Sequence, residues 1–291
     1  QKQSINQNAS IKASKQKLPQ KQIYSLNIEA LKQALVQAPK RGTFSGNSHV
    51  IISFPNSDGE FERFSIMEAS VMHPDLEARY PGIKSYAGQG VDDPSARIRF
   101  SISPLGLETM RLSASKPATF IEPLTDDLQQ YTVYKRADRT AEFSDFECTV
   151  TDNLNNRLTA QGNTAMRNAD DATLRTYRLA MSATGEFTQY HGGTKALALA
   201  AINTTMTRVN GVFEKDFGVR MNLIANTDLV IYTSASTDPY SAAASMSQWN
   251  AQLQSTLTSV IGEANYDVGH LFGATGGGGS SPRDPLAELR E

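Results

Sequence analysis

The chain has 291 residues, enough for two ordinary domains, and its 39% hydrophobic content includes the aromatics that a packed core needs. A formal charge of −2 exerts no global pull toward nucleic acid or an anionic membrane. No apolar run reaches the roughly 18 residues of a membrane span, and a single cysteine excludes an intrachain disulfide.

Residues 1–22, QKQSINQNASIKASKQKLPQKQ, are polar, with five lysines and no acid, and read as a disordered leader. The chain opens on Gln1 without an apolar signal region, which suits a processed, secreted, extracellular protein. Residues 23–39 place Leu26, Ile28, Leu31, Leu35 and Val36 at helical spacing and predict a short helix stopped before Pro39. From about 48 to 135 the texture changes to short runs of β-formers such as HVIISFP, ARIRFSISP and QQYTVYKR. Turn signals at Pro55–Gly59 and Pro104–Gly106 separate them, so residues 23–147 are expected to form a mostly antiparallel β-rich domain. The following stretch is rich in Asn, Asp, Thr and Arg, and a linker is placed at 148–175.

Beyond it, TYRLAMSA predicts a strand. Thr194 is positioned to cap a long helix to about Phe217, with one apolar stripe at Ala198, Ile202, Met206, Val209 and Phe213. Gly218 ends that helix, and VRMNLIAN and DLVIYT then predict two strands. A second helix carries Trp249, Leu253, Leu257 and Ile261 on one face, and NYDVGHLFG closes the order as a strand. A β–α–β opening with a long crossover implies an α/β layer containing at least one parallel pair.

Candidate chemistry is sparse. The four histidines, His49, His73, His191 and His270, include no pair at the spacing that would bring two onto one helical face for zinc. His49 and His73 read as surface residues and His191 as part of a polar turn. No GxSxG is present, and Asp92 and Asp93 read as a turn before a strand. The stretch YDVGHLFGATGGGG half fits HExxHxxGxxH: His270 and Gly273 match, whereas Tyr266, Asp267 and Gly276 replace His, Glu and His. A zinc motif of that kind needs a helix, and the glycines Gly276, Gly277, Gly278 and Gly279 oppose one and favour a turn. His270 therefore reads as a strand side chain. Cys148 admits two readings: a small buried hydrophobe, or a thiolate donated to a metal in the following domain.

The phrases YRLAMSATGEFTQYHGG, INTTMTRVNGVFEKDFGVRMNLIAN, DPY and ANYDVGHLFGATGGGG, in that order over Thr176–Gly279, resemble the secreted reprolysin-like metzincin metallopeptidases of bacteria. The preceding stretch from FPNSDGEF to FSISPLG is similar to the β-rich propeptide region that accompanies them. The resemblance implies a zymogen of a zinc endopeptidase, with Cys148 as a possible latency thiol. Its sheet would be mixed but mainly parallel, with an antiparallel edge strand lining the substrate cleft. Asp267, Val268, Gly269, His270, Leu271, Phe272 and Gly273 fall where that edge is expected, and peptide substrates would pair with it. Zinc, held by an HExxHxxGxxH helix, would acidify the attacking water.

No HExxH occurs in this sequence, so no zinc ligand or catalytic residue carries over. The resulting expectation is an α+β, α/β chain: a pro-like antiparallel domain, then the incomplete N-terminal part of a metzincin-like domain at 176–279 and an atypical tail at 280–291. Such a chain would bind no zinc alone, would be inactive, and would expose apolar surface that the missing C-terminal half covers. The competing readings are a secreted peptide- or protein-binding module using the same edge, and an unrelated β-plus-α/β adhesion module.

Overall fold

The structure, a computed structural model, describes residues 2–3, 10–12, 18–43, 46, 48–138 and 172–274. Cys148, nearly all of the expected linker, Gly276–Gly279 and the 280–291 tail lie outside the described residues.

The first half is a nine-stranded sheet in the order β1-β2-β9-β8-β7-β6-β5-β4-β3, every neighbouring pair antiparallel. Its strands are β1 (Lys2–Gln3), β2 (Ile23–Ser25), β3 (Ile51–Pro55), β4 (Phe61–Glu68) and β5 (Lys84–Gly90). They continue with β6 (Arg97–Ser103), β7 (Gly106–Leu112), β8 (Thr119–Pro123) and β9 (Gln130–Lys135). The helix predicted over 23–39 is shorter than its pattern suggests. Ile23–Ser25 pair with β9, and helix α1 runs only from Ile28 to Leu35. Asn27 explains the break: its side chain accepts the Ala30 N–H and starts the helix there. Val36, on the expected apolar stripe, is exposed. The leader also contributes to the fold. Lys2–Gln3 pair with β2, Ile11 bridges Thr125, and Leu18 is buried.

Strand alternation gives this sheet two unlike faces. Phe64 and Ile66, Ile98, Phe100 and Ile102, and Tyr131 and Val133 point to one side, where Leu31 and Leu35 of α1 pack on them. The other side presents Ser85, Arg99, Ser101 and Glu108, a polar set that an isolated sheet would leave in water.

The second half contains a three-stranded sheet, order β11-β10-β12, formed by β10 (Arg175–Ala183), β11 (Val219–Leu223) and β12 (Val268–Phe272). Both pairings are parallel. The short helix α3 (Gly185–Tyr190) and the long α4 (Lys195–Asp216) connect β10 to β11, and α5 (Trp249–Val260) connects β11 to β12. α2 is the short Pro74–Arg79 helix of the first half, capped by His73 Nδ1 accepting from Asp75 N–H. Thr194 caps α4 as the sequence suggests, its Oγ1 accepting from Leu197 N–H.

Three expectations are corrected here. First, β12 runs parallel to β10, not antiparallel, because a helical crossover returns the chain in the same direction. Second, DLVIYT forms no strand. Thr227–Val230 make a 3-10 turn, and only Ile231 bridges to Ala183. Contacts from outside the segment fix that turn: Arg79 and Tyr80 reach the Asp228 carboxylate, and Lys195 donates to the Asp228 carbonyl.

Third, α4 has no single apolar stripe, because every residue from Ala198 to Asn210 is buried. The helix lies between the two sheets. Ala198, Leu199, Ile202 and Met206 face a core shared with Leu179, Met181, Leu223 and Phe272. Its other side meets the polar face of the nine-stranded sheet. Ser85 Oγ bonds Asn203 Oδ1 at 3.0 Å and Thr207 Oγ1 at 2.8 Å, and Ser101 Oγ meets Thr204 Oγ1 at 2.7 Å. Arg208 donates to the Thr109 carbonyl and to Glu122, which also accepts from Tyr134.

The two halves are joined through backbone as well. His73 N–H donates to Leu223 O and Leu223 N–H to Val71 O, so Val71–His73 lie alongside β11 as a strand-like margin. Val71, Met72, Leu76 and Ile83 enter the same core as β10 and α4. One edge of the parallel sheet is thereby covered by the first half of the chain.

Candidate functional site

In sheets built of parallel strands, functional groups gather beyond the carboxyl ends of the strands. Here that rim comprises Thr184 and Gly185 after β10, Phe272 at the end of β12 with Gly273 after it, and the 232–241 loop after the bridge at Ile231. Its parts are fastened together. Thr184 N–H donates to Phe272 O, and Gly185 N–H to Asp238 Oδ2 at 2.7 Å. A Cβ on Gly185 would stand 2.1 Å from Ala235 N, so only glycine lets the loop lie against the start of α3. Ser182 Oγ bonds Tyr240 OH at 2.6 Å and the Val230 carbonyl at 2.7 Å inside the core. Burial pushes the Tyr240 phenol up to about 12, so it remains protonated as a hydrogen-bonding strut.

The predicted edge segment occupies β12 and its flanks. Asp267 precedes the strand, accepting from Arg178 N–H at 2.7 Å and from the Arg178 guanidinium. Those bonds hold its carboxyl below the ordinary value. This pair sets the register by which Val268 meets Leu179. Val268, His270 and Phe272 share the α4 face, and Gly269, Leu271 and Gly273 the α5 face. A Cβ on Gly269 would lie 2.5 Å from Leu257 Cδ1, and one on Gly273 2.2 Å from Trp249 Cη2. The two glycines therefore admit α5 against the strand. The Trp249 indole is held over Gly273 by its N–H, which donates to Ser241 O at 2.8 Å.

His270 stands at the margin of an aromatic cluster. Its ring meets Phe272 edge-on at 5.3 Å, Phe272 stacks on Phe187 at 5.2 Å, and Phe187 contacts His191 at 4.5 Å. Burial pushes the His270 imidazole down to about 4, so it is neutral at physiological pH. Its Nε2 is buried and meets no hydrogen-bond partner among the described residues.

These residues do not fit a zinc ion. Among the described residues, no three His, Cys, Asp or Glu side chains come together as a ligand set. His270 faces phenylalanine rings, and the carboxylate nearest to it in sequence, Asp267, is committed to Arg178. His49 is exposed, His73 caps α2, and His191 sits in the turn after α3. Asp92 and Asp93 are in a turn, as expected. Asp92 pairs with Arg63, and hydrogen bonds from Ser95 and Ser113 lower the Asp93 carboxyl to about 2.

What the arrangement offers is a strand edge. β12 pairs with β10 on one side, and among the described residues no strand lies on the other. Its exposed residues include Val268 and Gly269. An open edge presents a row of backbone donors and acceptors to which an extended peptide can pair.

Residues 173–281 match the family model described as Metallo-peptidase family M12B Reprolysin-like. The matched span starts two residues before β10 and runs past Phe272, so it takes in the whole parallel sheet with α3, α4 and α5. Peptidases of that family are zinc-dependent and cleave peptide bonds. No curated protein matches the chain.

Sequence reasoning read a strand at this segment and put Trp249 on a helix face, but assigned no role to Phe187, Tyr240 or Asp238. Gly269 and Gly273 carried a usable signal, since glycine inside or beside a strand marks a close approach by another group. The Ser182–Tyr240 contact joins residues far apart in sequence and left no local signal.

Proposed function

We propose that this chain carries the N-terminal part of a zinc-dependent endopeptidase domain, with the antiparallel half as its propeptide and folding aid. The observation that carries the reading is the burial of α4, a helix of the family-matched span, between the two sheets. Its serine- and threonine-lined contact with the first half buries Asn203, Thr207 and Arg208, and Ser85, Thr109 and Glu122 of that half supply hydrogen-bond partners to them.

Secretion of the chain as a zymogen follows from the same reading. Cys148, if its thiolate serves latency, would act on a metal bound elsewhere in a longer product. Because the sequence contains no HExxH, the 291-residue chain by itself is proposed to be inactive and free of zinc, and to associate with the missing C-terminal half of the domain. Metal analysis and a casein-cleavage assay test this directly. One zinc per chain, or proteolysis abolished by EDTA, overturns the proposed inactivity.

The open edge of β12 favours a second reading, a secreted module that binds extended peptides without cleaving them. Saturable binding of unstructured peptides by the full chain supports it. No binding by any extended peptide removes it.

A further inference from the structure

Three arginines from three different elements converge on one carboxylate where the halves meet. Arg41 Nη1 donates to Glu214 Oε2 at 2.7 Å, Arg220 Nε donates to Glu214 Oε1 at 2.7 Å, and Arg99 Nη2 also bonds Oε2. Arg41 and Arg99 belong to the antiparallel half, whereas Glu214 and Arg220 belong to α4 and β11. Each position is fixed by its own backbone: Arg41 N–H donates to Glu68 O, Arg99 pairs with Met110, and Arg220 with Thr176. Gly211 completes the frame. A Cβ there would stand 2.8 Å from Arg99 Cγ, so its absence lets the Arg99 stem lie across α4.

Charge does not balance at this point. Among the described residues Glu214 is the only carboxylate paired with any of the three, and three guanidiniums against one carboxylate leave two positive charges. Donors exceed acceptors as well: three guanidiniums carry about fifteen N–H groups, and a carboxylate offers about four lone-pair sites. Arg99 is pushed down to about 10 by burial, with the charges of Arg41 and Arg220 adding to the effect against the pull of Glu214. The cluster is reachable from solvent, because the Arg41 side chain is 31% exposed and that of Arg220 is 24% exposed.

We infer that Arg41, Arg99 and Arg220 form a binding site for a doubly charged oxyanion of the phosphate or sulfate class, which clamps the antiparallel half to the α/β half. Planar guanidiniums match such oxygens through paired N–H donors, and the charge left by Glu214 matches a dianion. The inference does not depend on the peptidase reading. An anion bound here would hold together groups from both halves and would stabilise their docked state in proportion to its occupancy.

Thermal unfolding of the full chain, at fixed pH and ionic strength, tests it with inorganic phosphate, inorganic sulfate and glycerol 2-phosphate against chloride. Phosphate and sulfate should raise Tm saturably, by about 5 °C at a roughly hundredfold excess over the dissociation constant, while chloride does not. Arg41→Gln and Arg220→Gln should each weaken half-saturation about tenfold or more. Arg63→Gln, on the exposed pair with Asp92, should leave it unchanged. An equal shift with glycerol 2-phosphate supports a phosphate carried on a larger molecule, and a shift with the inorganic anions alone supports a free ion. An increment matched by chloride, one retained in both arginine variants, or none at all overturns the site.

Discussion

The largely buried imidazole of His270 makes a quantitative prediction about acid stability. In the folded chain burial pushes its pKa down to about 4, and in the unfolded chain it takes the ordinary value near 6.5. The depressed value means that the unfolded state binds the proton first as pH falls. Stability is therefore full above about pH 6.5, declines below it, and reaches its whole loss under about pH 4. A gap of about 2.5 pH units corresponds to a total loss of roughly 3 kcal/mol, of which about 2 kcal/mol appears between pH 7.5 and pH 5.

His270→Leu replaces the ring with an apolar side chain beside Phe272 and removes the titration. The wild type and this variant should be compared by urea unfolding at pH 7.5, 6 and 5, followed through the fluorescence of Trp249, the single tryptophan, which lies against Gly273. Other groups titrate equally in both proteins, so the difference between the two pH dependences isolates His270. The variant should lose about 2 kcal/mol less stability than the wild type over that range. If the two curves run parallel within about 0.5 kcal/mol, the imidazole is hydrated and the reasoning is refuted.

Gly273→Ala places a methyl group against the Trp249 ring, and overpacking of this kind should cost about 1–3 kcal/mol. Pairing it with Trp249→Leu in a double-mutant cycle should recover part of that cost, measured by circular dichroism in urea. Gly185→Ala meets backbone at Ala235, which cannot swing aside, so it should cost about 3 kcal/mol or prevent folding of the 232–241 loop. Limited proteolysis would show new cleavage there. Arg208→Met leaves Glu122 buried beside Tyr134 with its cation gone, and should cost about 3–5 kcal/mol. Adding Glu122→Gln should return more than half of it, and no recovery would mean that the pair is not coupled.

Local pattern determined much of this protein. Alternating β-formers between turn signals marked the antiparallel half, and Thr194 with Gly218 bracketed the long helix, because strands and helix ends are written in neighbouring residues. The segment 267–273 was legible as a strand rather than a zinc helix, since glycines on its flank oppose helix formation. The strand Val268–Phe272 was thus legible from sequence, but not its direction or its neighbours.

Only the tertiary structure decided the rest. α4 reads as amphipathic with one apolar stripe, yet its Asn203, Thr204, Thr207 and Arg208 are buried, because a second polar surface supplies their hydrogen bonds. Ile23–Ser25 left a helical pattern once β9 offered a ladder, and DLVIYT gave up a strand once Arg79 and Lys195 held Asp228. The arginine cluster at Glu214 draws on residues 41, 99, 214 and 220, and no window of sequence contains them. Periodicity reports how a segment divides between one core and water. It is silent when both sides of a helix are covered by other parts of the same chain, which is the condition of α4 here.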